Sequence, residues 1–456
     1  MSFPHYDFYK ASGVDWLGVI PGHWDVVPLK RNIAFLTSGS RGWADHYSED
    51  GAIFIRIGNL TRDRSSLDLR NVQRVAVPEG IEGERTKVEP GDILFSITAY
   101  LGSVAVVPES IGLAYVSQHV ALVRLKRGVI LPEWIAYLAL SSVGKTYLEA
   151  QGYGGTKVQL SLEDISRLPI VCPPLSEQVA IVSFLDRETA KIDALVEEQQ
   201  RLIDLLNEKR QATISRAISK GLNPLLANKT SGTAIYGPVP DTWVVLRLRF
   251  VVGKIESGTS VNSIDIPAPE NAIGILKTSS VYSGEFDYTE NKAVLDDEIS
   301  RVSCPVKSGA LIVSRMNTPD LVGAAGLSLY DRPNIYLPDR LWQVHIKGMS
   351  PEFVDYWTKS EIYRYQIKMA CAGTSSSMQN ISQDQFLNLY ITRPPISEQN
   401  SIVQYLESTV AEIKALMDNA TDAVALLQER RAALISAAVT GKIDVRDALT
   451  RNAEAA

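Results

Sequence analysis

Six residues that can read base edges fall within nineteen positions: Arg56, Asn59, Arg62, Arg64, Arg70 and Arg74. A guanidinium matches the two acceptors of guanine in the major groove, and a carboxamide matches adenine. Asp63 and Asp68 stand among them, so ordinary surface ion pairing is the competing reading. A second polar stretch runs Gln151-Gly152-Tyr153-Gly154-Gly155-Thr156-Lys157. Its glycines allow close backbone approach, and Thr156 and Lys157 can donate to phosphates or bases; a plain flexible loop is the alternative. The second half of the chain offers Lys277, Ser279, Ser280, Arg315 and Asn317, then Gly373-Thr374-Ser375-Ser376-Ser377-Met378-Gln379-Asn380. The candidates for such polar contacts are Arg56, Asn59, Arg62, Arg64, Thr156 and Lys157 in the first half. In the second they are Lys277, Arg315, Asn317, Ser376 and Gln379.

Catalytic patterns are missing from the sequence. There is no Gly-x-x-x-x-Gly-Lys-Ser/Thr run and no Gly-x-Gly-x-x-Gly after a strand, so no phosphate cradle is expected. Gly323-Ala324-Ala325-Gly326 reads as a turn or packing site. Pro173-Pro174 and Pro394-Pro395 lack the flanking amide or acid and the aromatic of an adenine methyltransferase tetrapeptide. The five histidines are scattered, with none at i and i+4, which argues against zinc. Pro338-Asp339 with Lys347 lacks the Glu-x-Lys element of a metal-dependent nuclease. The reading is of a non-catalytic chain that binds no metal or cofactor itself.

What positions these residues is a duplication. Pro173-Pro174-Leu175-Ser176-Glu177-Gln178 returns as Pro394-Pro395-Ile396-Ser397-Glu398-Gln399, a shift of 221 residues. Ile20-Pro21-Gly22-His23-Trp24 pairs with Val239-Pro240-Asp241-Thr242-Trp243, and Val88, Gly91 and Ser96 pair with Val306, Gly309 and Ser314. Drifts of two or three residues are what loop insertions produce. Two copies are too few for a solenoid, so the expectation is one unit duplicated about an approximate two-fold axis.

Each Pro-Pro pair opens an amphipathic run. In the first, Ser176 is the expected N-cap and Glu177 favours the positive end of the dipole. Ile181, Leu185, Ile192, Leu195, Leu202 and Leu206 then form the expected seam, with no glycine or proline before Gly221. Such a helix would be about 64 Å long. The second seam is Ile402, Leu406, Val410, Ile413, Met417, Ala420, Val424, Leu427 and Leu434, stopped by Gly441. A helix with an uncovered apolar stripe is unstable alone. The two stripes are expected to cover each other in an antiparallel coiled coil.

The globular parts mix strand-like runs and turn signals, such as Gly51–Gly58 and Gly91–Ile97, with helical patterns near Pro132–Leu148 and Pro351–Ala370. The predicted fold class is α+β: two pseudo-symmetric domains separated by a long two-helix coiled coil. The expected division is 1–174 and 222–395 for the domains, 175–221 and 396–442 for the helices, and 443–456 for a tail.

Charge limits the partners. Net charge is −6 over 456 residues; residues 1–174 carry 17 basic and 18 acidic groups, and 231–395 carry 15 and 17. Neither half has the overall positive field of a solo DNA binder. If the chain binds DNA, its basic groups must be gathered on one face, or a partner must supply many of the phosphate contacts. No apolar run approaches a membrane span. Cys172, Cys304 and Cys371 are sparse and unpaired in spacing, fitting a reducing cytoplasm.

The opening, Lys10-Ala11-Ser12-Gly13-Val14-Asp15-Trp16-Leu17-Gly18-Val19-Ile20-Pro21-Gly22-His23-Trp24, resembles that of the specificity subunits of type I restriction–modification systems. The Pro-Pro-Leu/Ile-Ser-Glu-Gln start of each helix and Leu427-Gln428-Glu429-Arg430-Arg431 are also similar to that family. The resemblance implies target-recognition domains that each read half of a bipartite DNA site, and helices that set the spacer. It implies two modification subunits that bring S-adenosylmethionine and methylate adenine. Restriction subunits would bring ATP- and Mg-dependent translocation and cleavage. Two alternatives stay open: a targeting subunit for a fused methyltransferase–nuclease partner, and a non-catalytic coiled-coil scaffold.

Overall fold

The computed structural model describes residues 3–39, 41–77, 81–153, 158–225, 227–371 and 378–446. They fall into two compact units. One comprises Met1–Gln200 with Thr421–Ala456, the other Arg201–Ala420.

In the first unit, β1 (Asp25–Pro28) and β2 (Ile33–Ser38) are followed by β3 (Ala52–Ile55) and β4 (Gln73–Val75). Then come β5 (Ile93–Ser96), β6 (Val104–Val106), β7 (Ala114–Val116) and β8 (Val120–Leu125). Two short helices, α1 (Pro132–Leu140) and α2 (Ser142–Gln151), lead to β9 (Pro169–Cys172) and the long α3 (Leu175–Lys220). One antiparallel sheet has the order β2-β8-β5-β6. Its central strands, Ile-Leu-Phe-Ser and Val-Ala-Leu-Val, are buried on both faces, which explains their unbroken apolar runs. A second sheet contains the parallel pair β3–β7, and β9 closes against β1.

The second unit repeats this order: β10 (Val244–Arg247), β11 (Val252–Ser257), β12 (Gly274–Leu276), β13 (Asn291–Val294), β14 (Ala310–Ser314), β15 (Ala325–Leu327), β16 (Arg332–Tyr336) and β17 (Leu341–Ile346). These are followed by α4 (Pro351–Thr358), α5 (Glu361–Ala370), β18 (Tyr390–Arg393) and α6 (Ile396–Val439). Its main sheet runs β11-β17-β14-β15, strand for strand the same as the first. The parallel pair returns as β12–β16 and the closing pair as β10–β18. The α+β duplication expected from the repeated motifs is thus built into the hydrogen-bond ladders.

Each continuous helical stretch read near 132–148 and 351–370 is two helices. Ser141 accepts from the Gly144 N–H and Ser360 from the Tyr363 N–H, so each serine caps a new helix. The long helices begin one residue earlier than Ser176 suggests. The amides of Glu177 and Gln178 both donate to the Pro174 carbonyl, which places Ser176 inside the first turn. They stop at Gly221 and Gly441, each left-handed at φ near +70°. A Cβ on Gly441 would lie 2.3 Å from Pro21 Cδ, so that site excludes every larger residue.

Each unit holds the start of one long helix beside the end of the other. In the first, Ile181, Phe184 and Leu185 share a core with Ile435, Ala438 and Val439. In the second, Ile214, Ala217 and Ile218 share one with Ile402, Val403 and Leu406. The helices therefore pack together antiparallel. The seam on α6 follows the expected positions: Ile402, Leu406 and Ile413 are buried, and Val410, Val424 and Leu427 half-buried. On α3, Ile181, Leu185, Ile192 and Leu206 are buried as expected. Leu195 and Leu202 are a correction, for they stay 45% and 41% exposed. The covered stripe between Ile192 and Leu206 uses half-buried Val196, Gln199 and Ile203. Spacings of four, three, four and three hold that stripe straight, whereas the two leucines lie one position to its side.

Candidate nucleic-acid interface

The repeated Ser-Glu-Gln has a structural purpose at each helix start. Gln178 Oε1 accepts from the Leu131 N–H at 3.0 Å while its Nε2 donates to the Pro173 carbonyl at 2.9 Å. Gln399 does the same with the Ser350 N–H and the Pro394 carbonyl. Each glutamine, fully buried, joins the start of a short helix to the start of a long one. Glu177 accepts from the Tyr6 hydroxyl at 2.6 Å and pairs with His23 at 2.8 Å. Burial and the Glu177 carboxylate push the Tyr6 phenol up. The conspicuous opening segment is therefore tied to the first helix start.

The arginine cluster of the first unit divides by partner. Asn59 is buried: its Oδ1 accepts from the Arg56 N–H at 3.0 Å, and its Nδ2 donates to the Asp68 and Asn71 carbonyls. Its carboxamide is committed to shaping the loop around the 3-10 turn Ile57–Asn59. Arg64 lies 3.4 Å from Asp193 on α3, and Asp193 also holds the nearly buried Arg431 of α6 at 3.0 Å. Arg431 in turn donates to the Asp63 carbonyl. The loop is thus anchored to both long helices by one shared carboxylate. Arg70 is forked on Asp68, which holds that half-buried carboxyl down to about 2, and Arg74 donates to the Gly51 carbonyl. Arg62 differs: its guanidinium lies 3.6 Å from the centroid of the Tyr100 ring and has no acidic partner among the described residues. Arg56 is half-buried and likewise without one.

In the second unit, Lys277 and Lys292 share Asp265 at 3.4 and 3.2 Å, which lowers that carboxyl. Arg315 donates from Nε to the Asp339 carbonyl at 2.6 Å. Asn317 is buried and donates to the Tyr282 hydroxyl at 2.8 Å and to Ser314 Oγ. Its Oδ1 accepts from the Thr318 N–H. Gln379 lies opposite Asn317 in a two-residue antiparallel ladder. Thr156, Lys157 and Ser376 lie outside the described residues. Tyr100 and Tyr282, which the sequence reading passed over, are the exposed aromatic neighbours of these sites; their signal was only an aromatic in a turn-rich stretch.

Among the described residues no group of three or more His, Cys, Asp or Glu could hold a metal ion. Gly326 is a packing site: a Cβ there would meet the Phe286 backbone nitrogen at 2.5 Å. Cys172 and Cys304 are free thiols, and burial pushes both up to about 11. No described helix is long and apolar enough to cross a membrane.

The chain is a duplicated α+β unit joined to paired antiparallel helices, and its residues 44–204 match the family described as Type I restriction modification DNA specificity domain. Among individual relatives, the chain is 24% identical over 445 residues to the type I restriction enzyme EcoKI specificity subunit of Escherichia coli K12, covering 93% of this chain and 90% of that one. It is 23% identical over 443 residues to the StySPI specificity subunit of Salmonella potsdam, with the same coverage. A solved structure bearing on complex assembly and conformational transition of a type I R-M system superposes with a TM-score of 0.67. That match has 17% identity and covers 92% of this chain and 98% of that one. The HsdS subunit from Thermoanaerobacter tengcongensis gives a TM-score of 0.50, also at 17% identity, over 93% and 98%. The resemblance carried by the opening segment and the helix starts thus extends across the chain.

Proposed function

We propose that this chain is the DNA-specificity subunit of a type I restriction–modification complex. It is non-catalytic, and each recognition fold reads one half of a bipartite double-stranded site. One observation carries the reading: two copies of one strand order present different side chains at equivalent loops, here Arg56, Asn59 and Arg62, there Lys277, Ser280 and Tyr282. A scaffold kept constant while its loops diverge is what two independent readers need. The similarity to specificity subunits over nearly the whole length supports it.

The proposed contacts are Arg56, Arg62 and Arg64 with Thr156 and Lys157 in the first half. Lys277, Arg315, Ser376 and Gln379 serve in the second. Asn59 and Asn317 act by shaping their loops. The paired helices set the number of unread base pairs, and their exposed leucines, such as Leu195, Leu202 and Leu426, receive two methyltransferase subunits. Those subunits bring S-adenosylmethionine, and restriction subunits bring ATP-driven cleavage. The complex works in the cytoplasm. With a net charge of −6, this chain relies on its partners for much of the phosphate contact.

The test is co-expression with a type I methyltransferase subunit, followed by mapping of methylated adenines. The expected product is one motif of two specified blocks around a fixed unread run. Replacing residues 25–172 by the equivalent segment of another specificity subunit should change one block only. A change in both blocks would contradict independent readers.

A further inference from the structure

Both units open a cleft at the same place in the fold. In the first it has a volume of about 440 Å³ and is walled by Arg62, by Tyr100 and Leu101 of the turn between β5 and β6, and by Lys145 and Glu149 of α2. In the second, a cleft of about 600 Å³ is walled by Tyr282 and Ser283, by Asp320 and Leu321 of the turn between β14 and β15, and by Arg364 and Lys368 of α5. The same three segments contribute each time: the loop after a 3-10 turn, the turn after a central strand, and one face of the second short helix. Their chemistry differs. The first cleft sets a cation on an aromatic ring; the second sets a tyrosine hydroxyl against a buried carboxamide.

The Arg62–Tyr100 pair is built to present a fork. Stacking on Tyr100 fixes the plane of the guanidinium and leaves its N–H edge without an acidic partner, unlike the edge of Arg70 or Arg64. A planar fork fixed in advance loses little freedom on forming two hydrogen bonds. The ring is half-exposed, and the residue before it, Ala99, is held at φ 64°, a conformation uncommon for a residue with a Cβ. Local strain of this kind gathers at functional sites. Lys145 flanks the fork from α2, where its stem lies against the turn at Gly102.

The geometry points to Arg62, held flat on Tyr100, as the group that reads a guanine edge in the first half-site. Tyr100 is its positioning residue, Lys145 contacts a neighbouring phosphate, and the equivalent cleft beside Tyr282 reads the second half with different chemistry. This inference rests on the DNA-reading role proposed above.

The test uses the full chain assembled with its methyltransferase partner, adenine-methylation mapping, and competition binding with duplexes altered at one base pair at a time. Arg62→Gln and Arg62→Lys should each cut discrimination at one G·C pair of the first block by about 10- to 100-fold, with the second block unchanged. Lysine keeps the charge but not the fork, so Arg62→Lys should retain more overall affinity than Arg62→Gln. Tyr100→Leu should weaken discrimination at the same pair, and Lys145→Gln should lower affinity evenly across sequences. If Arg62→Gln left every first-block position as strict as the parent, or Arg62→Lys kept full discrimination, the assignment would be overturned. Loss of both blocks together would overturn it too, by placing Arg62 in the scaffold. A parent complex with no two-block motif would instead remove the proposed function.

Discussion

Glu256 shows how a surface carboxylate can matter in this chain. It accepts from Lys254 Nζ at 2.6 Å, His345 Nε2 at 2.7 Å and Gln343 Nε2 at 3.4 Å. The Lys254 bond, then the His345 bond, lower its pKa from 4.5 to about 2. Because the folded value lies below the unfolded one, the stabilisation is complete above about pH 4.5 and is lost as pH falls toward 2. Solvent screening limits it to about 1 kcal/mol at most. Urea midpoints measured between pH 6 and 3 should fall less steeply for Glu256→Gln than for the parent; parallel curves would refute the role. Residue type made the arginine loop visible from sequence. It could not tell which arginine is ion-paired, since Arg64, Arg70 and Arg62 differ only in what the folded chain brings beside them.

At the level of elements, the long helices were legible because apolar residues recur every three or four positions with no glycine or proline before Gly221 and Gly441. The α6 seam was read correctly because an apolar or small residue fills every position from Ile402 to Leu427. The α3 seam was misread where Gln199 occupies the stripe and Leu195 and Leu202 lie beside it. Ile192→Ala should therefore cost about 2–5 kcal/mol, whereas Leu202→Glu should cost less than about 0.5 kcal/mol. Chemical denaturation of the full chain compares the two, and equal losses would restore the leucine seam. The breaks at Ser141 and Ser360 went unread, since each serine caps through a hydrogen bond that spacing alone does not reveal.

For the whole molecule, the spacer follows from helix length if the helices act as a ruler. Deleting one heptad from each of α3 and α6, in register, should shorten the unread run of the methylated motif while leaving both specified blocks intact. An unchanged run would refute the ruler, and methylation mapping of the host genome reads either result. The paired deletion is required because each unit contains the start of one helix and the end of the other. Shortening one alone would shift the stripes against each other.

The duplication, the α+β class, the two helices and the absence of catalytic motifs were determined by the order of residues, because repeats, periodicity and motif spacing are properties of a linear chain. Tertiary structure alone decided that Gln178 and Gln399 tie helix starts together, that Asn59 shapes a loop, and that Arg62 lies on Tyr100. Each of those pairings joins residues brought together by strand order. Hydrogen-bond capacity and free charge are settled only when the partner arrives.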